Sequence, residues 1–308
     1  MERPYILHMF TPNRQMSPFD INMAADAGYQ IIVPYADVGL DAIAGLTQDT
    51  IFSRGPKGAL RSGIFIGGRD AMLAADMLAR ARAAMVPPFV VSLMADPSGA
   101  YTTAAAMVAC VEAALRRQPG QTLAGQRVLI LGGSGPVGRI AGVIAAQAGA
   151  NVYLSSRSGT SAAEDAAFAT GRHFGVTMHG VSGADSAAVR ASLVGADVLL
   201  ACAAAGVQVV SAEDLGSATS LKVAADVNAV PPAGIAGVGV MDDGQPMADT
   251  AALGNVALGI GALAIGNVKY QTQQRLLLQM RSAEKAVVLG FPEAFAVARA
   301  FLTGQAAA

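Results

Sequence analysis

The sequence predicts an α/β protein made of two α/β domains, and three observations predict it. Short apolar runs alternate with helical patterns over residues 4–101 and again over 127–227. A glycine-rich turn lies inside the second stretch, and 308 residues are enough chain for two cores. Strands separated by helices of this length pair mostly in parallel, with right-handed crossovers.

In the first half the apolar runs Tyr5–Phe10, Gln30–Tyr35, Gly63–Ile66 and Phe89–Met94 read as strands, and Pro18–Ala27 and Ala71–Ala84 as helices. Ser53-Arg54-Gly55-Pro56-Lys57-Gly58 reads as a loop, too rich in Gly and Pro for the interior of a helix or strand. Arg54 and Lys57 form either a solvated turn or a clamp for an anionic or carbonyl-bearing substrate. Asp96-Pro97-Ser98-Gly99 precedes an Ala-rich helix that starts near Thr102 and Thr103 and runs to about Arg117. Asp96 and Thr102 suit caps and turns. They also stand where open α/β sheets hold ligands, beyond the carboxyl end of a strand.

The second half is organised around Arg127–Arg157, an unbroken strand, glycine turn, helix and strand. Val128–Leu131 suits a buried parallel strand, and Gly133-Ser134-Gly135-Pro136-Val137-Gly138 then satisfies G-x-G-x-x-G ahead of a helix. Gly133 is expected to make the tight turn, Gly135 to admit a pyrophosphate against the backbone, and Gly138 to let helix and sheet pack closely. The free N–H groups of the helix start supply the anion site. This is the signature of a Rossmann-like dinucleotide-binding domain. Helices Ala162–Phe174 and Ser186–Val194, one near Ala212, and strands Val176–Val181, Asp197–Cys202 and Lys222–Val227 complete a doubly wound pattern. The residue that reads the ribose is expected about 20 positions after the glycines. Ser155, 22 positions after Gly133, is followed by Ser156 and Arg157, with no acid. Two hydroxyls and a guanidinium accept a 2′-phosphate, so NADP fits, and nothing there repels NAD. Ala203 is assigned to the same cofactor, as are Asp226 and Asn228, which either reach the nicotinamide amide or substrate or shape the turn into Pro231-Pro232.

The net charge of −1 advertises no surface for a polyanion, so nucleic acid is not an expected partner. Cys110 and Cys202, in Ala-rich apolar sequence, read as buried thiols of a reducing compartment. No signal peptide is read at the N-terminus, which makes the cytoplasm the default. The uncharged run Ala251–Val268 is long enough for a membrane span but, with four glycines and two asparagines, reads as a buried or site-lining segment. No zinc-spaced Cys/His cluster, no H-E-x-x-H and no G-x-S-x-G turn is present, so no metal is expected. His8 reads as a satisfied core or edge histidine. A nucleotide fold without an acid/base apparatus fits hydride transfer, in which the cofactor does the chemistry.

Six stretches together carry a resemblance: Thr50–Gly58, Ile64–Asp70, Ser92–Ala106, Gly132–Gly138, Ala225–Ile235 and Gly259–Lys269. Running in order through most of the chain, they resemble the bacterial methylene-tetrahydromethanopterin dehydrogenases of C1 metabolism. The resemblance implies a pterin-binding α/β domain of residues 1–101 with 269–308, completed by C-terminal helices. It implies a Rossmann-like NAD(P) domain of residues 102–268, a cleft between the two, and a homo-oligomeric, trimeric assembly. The implied reaction oxidises N5,N10-methylene-tetrahydromethanopterin to the methenyl form, with hydride passing to NAD(P)+. Two nitrogens flank the reacting carbon and stabilise the cation formed, so alignment supplies much of the catalysis without a protein base. The resemblance places a functional lysine at Lys269 and turns Asp20, Arg54, Lys57 and Asp96 toward the pterin. A cation beside the forming cation is unfavourable, so Lys269 is expected to bind a pterin carbonyl or orient the ring, its alternative being a charge at a helix boundary. Ser155-Ser156-Arg157 stands where strictly NADP-dependent members have a Gly-Arg-Lys-like ending, which favours use of both cofactors. The competing readings are a methylene-tetrahydrofolate dehydrogenase, with or without cyclohydrolase activity, and a nicotinamide-binding sensor without turnover.

Overall fold

A computed structural model describes residues 3–117, 120–247, 250 and 256–304. The chain divides into two compact units. The first runs to Thr102 and takes in Tyr270–Val297; the second comprises Thr103–Lys269 and resumes at Ala298.

The first unit holds a parallel sheet of β1 (Ile6–Phe10), β2 (Ile31–Tyr35), β3 (Ser62–Ile66), β4 (Ser92–Ala95) and β12 (Val288–Leu289), in the order β12-β4-β3-β1-β2. Every residue of β3 and β4 is buried, as expected of continuous apolar strands covered on both faces. Helices α1 (Pro18–Asp26), α2 (Ile43–Phe52), α3 (Gly55–Ala59) and α4 (Ala71–Ala83) make the crossovers. The strand order reverses between β1 and β3, so the loops after Phe10 and Ile66 diverge there.

The second sheet is β10 (Asp243–Pro246), β11 (Leu258–Ile260), β9 (Val223–Asp226), β8 (Val198–Ala201), β5 (Arg127–Leu131), β6 (Asn151–Ser156) and β7 (His179–Ser182), in that order. All its pairings are parallel except β10 with β11. Its helices are α5 (Ala100–Leu115), α6 (Pro136–Gln147), α7 (Thr160–Phe174), α8 (Ser186–Leu193) and α9 (Ala212–Leu215); α10 (Ala262–Ser282) and α11 (Phe291–Leu302) each run from one unit into the other, with Tyr270–Val297 in the first. Leu129, Leu199, Leu215, Leu221 and Ile235 form the centre of its core, each fully buried; burying one such side chain is worth about 2 kcal/mol. The reversal lies at β5, between β6 and β8, directly below the glycine turn.

Several expectations change. Ser53–Gly58 is not all loop, because Pro56 sits in the first turn of α3, where its fixed φ suits a helix and its missing N–H costs nothing. The Ala-rich helix starts at Ala100 and not at the threonines. Asp96, before a short 3-10 turn, accepts hydrogen bonds from the Tyr101 and Thr102 N–H groups at 3.0 and 3.1 Å and so caps it. The end of α11 joins the second unit, where Arg299 forms a two-pronged ion pair with Glu112 at 2.6 and 2.7 Å. Of the uncharged run Ala251–Val268, residues 251–255 lie outside the described residues; the rest divides between β11 and the start of α10, so it is no single span. Among the described residues one helical stretch, Pro97–Leu115, is long and apolar enough to cross a membrane, and 83% of its apolar 18-residue window is buried inside the protein.

His8 is satisfied, its Nδ1 lying 3.1 Å from the Tyr35 hydroxyl, and burial followed by the Arg54 charge lowers its pKa. Cys110 is buried and Cys202 half-buried, and burial pushes both thiols up to about 12.

Candidate functional site

The glycine turn joins β5 to α6. The positive φ that a tight turn needs belongs to Gly132 (φ +71), one residue before the position expected, and a Cβ there would lie 2.8 Å from the Cys202 and Ala203 backbone. Gly133 instead permits close approach to β6, since its Cβ would meet the Ile130 carbonyl oxygen at 2.8 Å and Leu154 Cα at 2.9 Å. Gly138 lets the helix close against the turn itself, where the expectation was the sheet, its Cβ position lying 2.7 Å from Gly132 O and Gly133 Cα. Gly135 differs from all three. Among the described residues the only neighbour its Cβ would meet is Gly132 O at 3.3 Å, so that direction is open. Pro136, in the first turn of α6, has no N–H, and Arg139 N–H donates to Gly135 O at 2.9 Å, so the N–H groups of Val137 and Gly138 are the ones the helix start offers to an anion.

A cavity of 420 Å³ opens beside this turn, lined by Ser134, Gly135, Ser155, Arg157 and Ala203 among others. These five positions were legible in the sequence and converge here. Ser156 is buried and its hydroxyl accepts from Ser158 N–H at 3.2 Å, which closes the strand end and does not face the cavity. Arg157 is exposed and, among the described residues, has no hydrogen-bond or ion-pair partner. An open Cβ direction at Gly135, a helix start and a free guanidinium beside a buried serine fit a nicotinamide dinucleotide.

Three residues here escaped the sequence reading. Arg139 donates from Nε to Ser134 O at 2.8 Å and from Nη1 to Thr170 Oγ1 at 2.7 Å, pinning the glycine loop to α7. Its signal was a cation in the first turn of a helix, where the dipole disfavours one. Asp185 lines the cavity and caps α8, accepting from Ala188 N–H at 2.8 Å. Asp214, also lining it, accepts from Ser211 and Ser186 hydroxyls and pairs with Arg190 at 3.2 Å. Burial raises the Asp214 pKa, but these partners outweigh it and hold the group below its ordinary value.

Asp226 and Asn228 stand apart from this cavity and serve the turn that follows β9. Asp226 accepts from the N–H groups of Asn228, Gly234 and Ile235 at 2.9, 2.7 and 3.2 Å. The Asn228 carboxamide accepts from Gly206 and Val230 N–H and donates to Pro232 O. Every polar atom of the Asn228 side chain thus has an internal partner, so the two residues shape this turn, and both also line a small cavity of 130 Å³ beside Gly239 and Gly261.

In the first unit a second cavity, of 490 Å³, lies at the reversal of strand order, lined by Asn13, Arg14, Ser17, Asp20, Arg69 and Ser98. Asp20 is 2% exposed and accepts from Gln273 Nε2 at 2.8 Å. Arg14 and Arg69 are exposed and have no ion pair among the described residues. Asp96 and Thr102 are both fully buried, with Thr102 Oγ1 donating to Asp96 Oδ2 at 2.6 Å. They therefore shape the helix start next to Ser98 and do not line the cavity.

Arg54 and Lys57 are not brought to this cavity. The Arg54 guanidinium donates to Pro4 O, Arg61 O and Ser62 Oγ at 3.0 to 3.2 Å, which ties together the chain entering β1 and β3. That is the amino edge of the sheet, whereas the cavity lies at the carboxyl edge. Lys57, on α3 just before β3, is exposed at the same amino edge. Lys269 is the eighth residue of α10, half-buried in the helix interior and not at a boundary, and ends the Thr103–Lys269 segment of the second unit. Among the described residues no group of three His, Cys, Asp or Glu is arranged to hold a metal.

The fold and the glycine loop define a dehydrogenase-type α/β chain that takes a nicotinamide dinucleotide. Quinate dehydrogenase from Corynebacterium glutamicum, solved in complex with NAD, shares this fold at a TM-score of 0.51 and 12% identity, over 97% of this chain and 99% of that one. The profile described as methylene-tetrahydromethanopterin dehydrogenase, N-terminal, matches residues 18–98. The NAD(P)-dependent methylenetetrahydromethanopterin dehydrogenase of Methylorubrum extorquens is 48% identical over 293 residues, which is 95% of this chain and 97% of the relative. The bifunctional protein MdtA of the same organism is 32% identical over 84% of this chain and 88% of its own length. The chain belongs to the methylene-tetrahydromethanopterin dehydrogenase family.

Proposed function

We propose that the chain catalyses reversible hydride transfer from N5,N10-methylene-tetrahydromethanopterin to NAD(P)+, giving the methenyl form and NAD(P)H in one-carbon metabolism. The observation that carries this is the 48% identity, over nearly the whole chain, to an NAD(P)-dependent methylenetetrahydromethanopterin dehydrogenase, in a chain that has both the nucleotide loop and the polar cavity around Asp20.

The nicotinamide ring, when bound, supplies the hydride acceptor. The chain's own residues then bind and orient. Gly135 and the start of α6 hold the pyrophosphate, and Ser155 and Arg157 the adenosine ribose, with or without its 2′-phosphate. Asp20 accepts from the N–H edge of the pterin, and Arg14 and Arg69 suit an anionic tail. Lys269 binds a pterin carbonyl or orients the ring. None of these residues need move a proton, because the two nitrogens flanking the reacting carbon share the positive charge of the product. A cytoplasmic homo-oligomer belongs to the same proposal, and light scattering on the purified chain reads the assembly.

An assay at 340 nm crossing methylene-tetrahydromethanopterin and methylene-tetrahydrofolate with NAD+ and NADP+ tests the reading. Turnover with the methanopterin and at least one cofactor supports it. Turnover with the folate alone replaces the substrate, and cofactor binding without turnover on either pterin makes the chain a sensor. Lys269→Ala is expected to lower kcat/KM for the pterin, and near wild-type values would remove Lys269 from the site.

A further inference from the structure

We propose that Asp185 opposes Arg157 in cofactor selection, its carboxylate on the rim of the nucleotide cavity disfavouring a 2′-phosphate and keeping NAD competitive with NADP. The inference rests on the nicotinamide reading above and adds a discriminating residue to it.

β6 and β7 run in parallel with Ser155 opposite Val181 and Ser156 opposite Ser182, so the two strands end level. Arg157 is the first residue past one end and Asp185 the third past the other, and both line the one cavity. Three charged side chains line it: Arg157, Asp185 and Asp214. Asp214 is offset by Arg190 at 3.2 Å and by two serine hydroxyls. Neither Arg157 nor Asp185 has an ion pair among the described residues. Asp185 uses Oδ1 to cap α8, which consumes one lone pair and none of its charge.

A 2′-phosphate drawn to Arg157 therefore meets an uncompensated carboxylate on the neighbouring loop. A 2′-hydroxyl meets no such repulsion and has a proton to donate. In dinucleotide folds the acid that favours NAD usually ends the second strand. Here that place is Ser155-Ser156-Arg157, and the acid stands one strand further along.

Asp185→Asn isolates the charge, because Asn caps a helix as well as Asp does. The test measures Kd for NADH and NADPH by nicotinamide fluorescence on the full-length wild type and variant, at about 50 mM and about 300 mM salt. At low salt the variant is expected to bind NADPH relative to NADH about three- to five-fold more tightly than wild type does, the size of a solvent-exposed charge interaction. The gain shrinks at the higher salt. An unchanged ratio at low salt overturns the proposal, as does a change that salt does not reduce, since that would mark a structural effect. If neither protein binds either dinucleotide, the nicotinamide reading fails and this proposal with it. Binding of both with an unchanged ratio removes only Asp185.

Discussion

Gln273 donates from Nε2 to Asp20 Oδ1 at 2.8 Å, joining two buried residues 253 positions apart in the sequence. The neutral amide orients the carboxylate of Asp20 at the edge of a cavity that also holds Arg14 and Arg69. Asp20→Asn is expected to lower kcat/KM for the methylene-pterin about 10- to 100-fold, the loss of a hydrogen bond to a charged group. KM for NAD(P) should stay within about two-fold of wild type. Steady-state kinetics with each substrate varied in turn checks it, and an equal rise in both KM values would count against this assignment.

The glycines of the nucleotide loop separate by what each protects. Gly133→Ala and Gly138→Ala put a Cβ within 2.8 Å of backbone and are expected to lower stability by about 2 kcal/mol or more. Gly135→Ala meets only Gly132 O at 3.3 Å and should leave the thermal midpoint nearly unchanged while weakening cofactor binding at least about ten-fold. Thermal melts paired with dinucleotide titrations distinguish the two classes.

Arg54 is expected to matter for stability and not for substrate. Its guanidinium holds two backbone carbonyls and a serine hydroxyl at the amino edge of the first sheet. Arg54→Ala should cost about 1 to 3 kcal/mol in urea unfolding and leave KM for the pterin unchanged in the folded fraction. A raised KM with unaltered stability would return Arg54 to the substrate.

Acid stability should depend on Asp214. Its pKa is depressed in the folded chain, so the unfolded chain takes up the proton first as pH falls. Its contribution is therefore complete above the unfolded value near 3.8 and is lost as pH falls through the lower folded value. The unfolding free energy of wild type is expected to exceed that of Asp214→Asn by about 1 to 2 kcal/mol from pH 7 to 5, with the gap closing below pH 4. A gap that is constant down to pH 3 would contradict the depressed pKa.

The backbone-determined part of the site was legible in the sequence, because a glycine loop between an apolar strand and a helix is a steric requirement written in consecutive residues. Even there the positive φ fell on Gly132 and not Gly133, a shift of one residue that a pattern match does not resolve. Side-chain partnerships were less legible. Nothing local to Arg54 says which edge of the sheet it reaches, and Asp226 and Asn228 reveal their internal partners only once the turn through Pro232 is folded. Gln273 was invisible because a neutral amide on a long helix has no pattern until Asp20 arrives from the other end of the chain. Asp96 and Thr102 lay between two readings, cap and ligand, that use the same residue types, and the folded chain shows the cap through the Asp96 bonds to the Tyr101 and Thr102 N–H groups.

The central claim is direct hydride transfer between the pterin's bridging carbon and the nicotinamide. Methylene-tetrahydromethanopterin carrying deuterium on the bridging carbon, incubated with the chain and NAD(P)+ in ordinary water, is the measurement that tests it most directly. The expected result is NAD(P)H labelled at C4 of the nicotinamide, with no label released to solvent. Unlabelled NAD(P)H, or label appearing in the water, would contradict it.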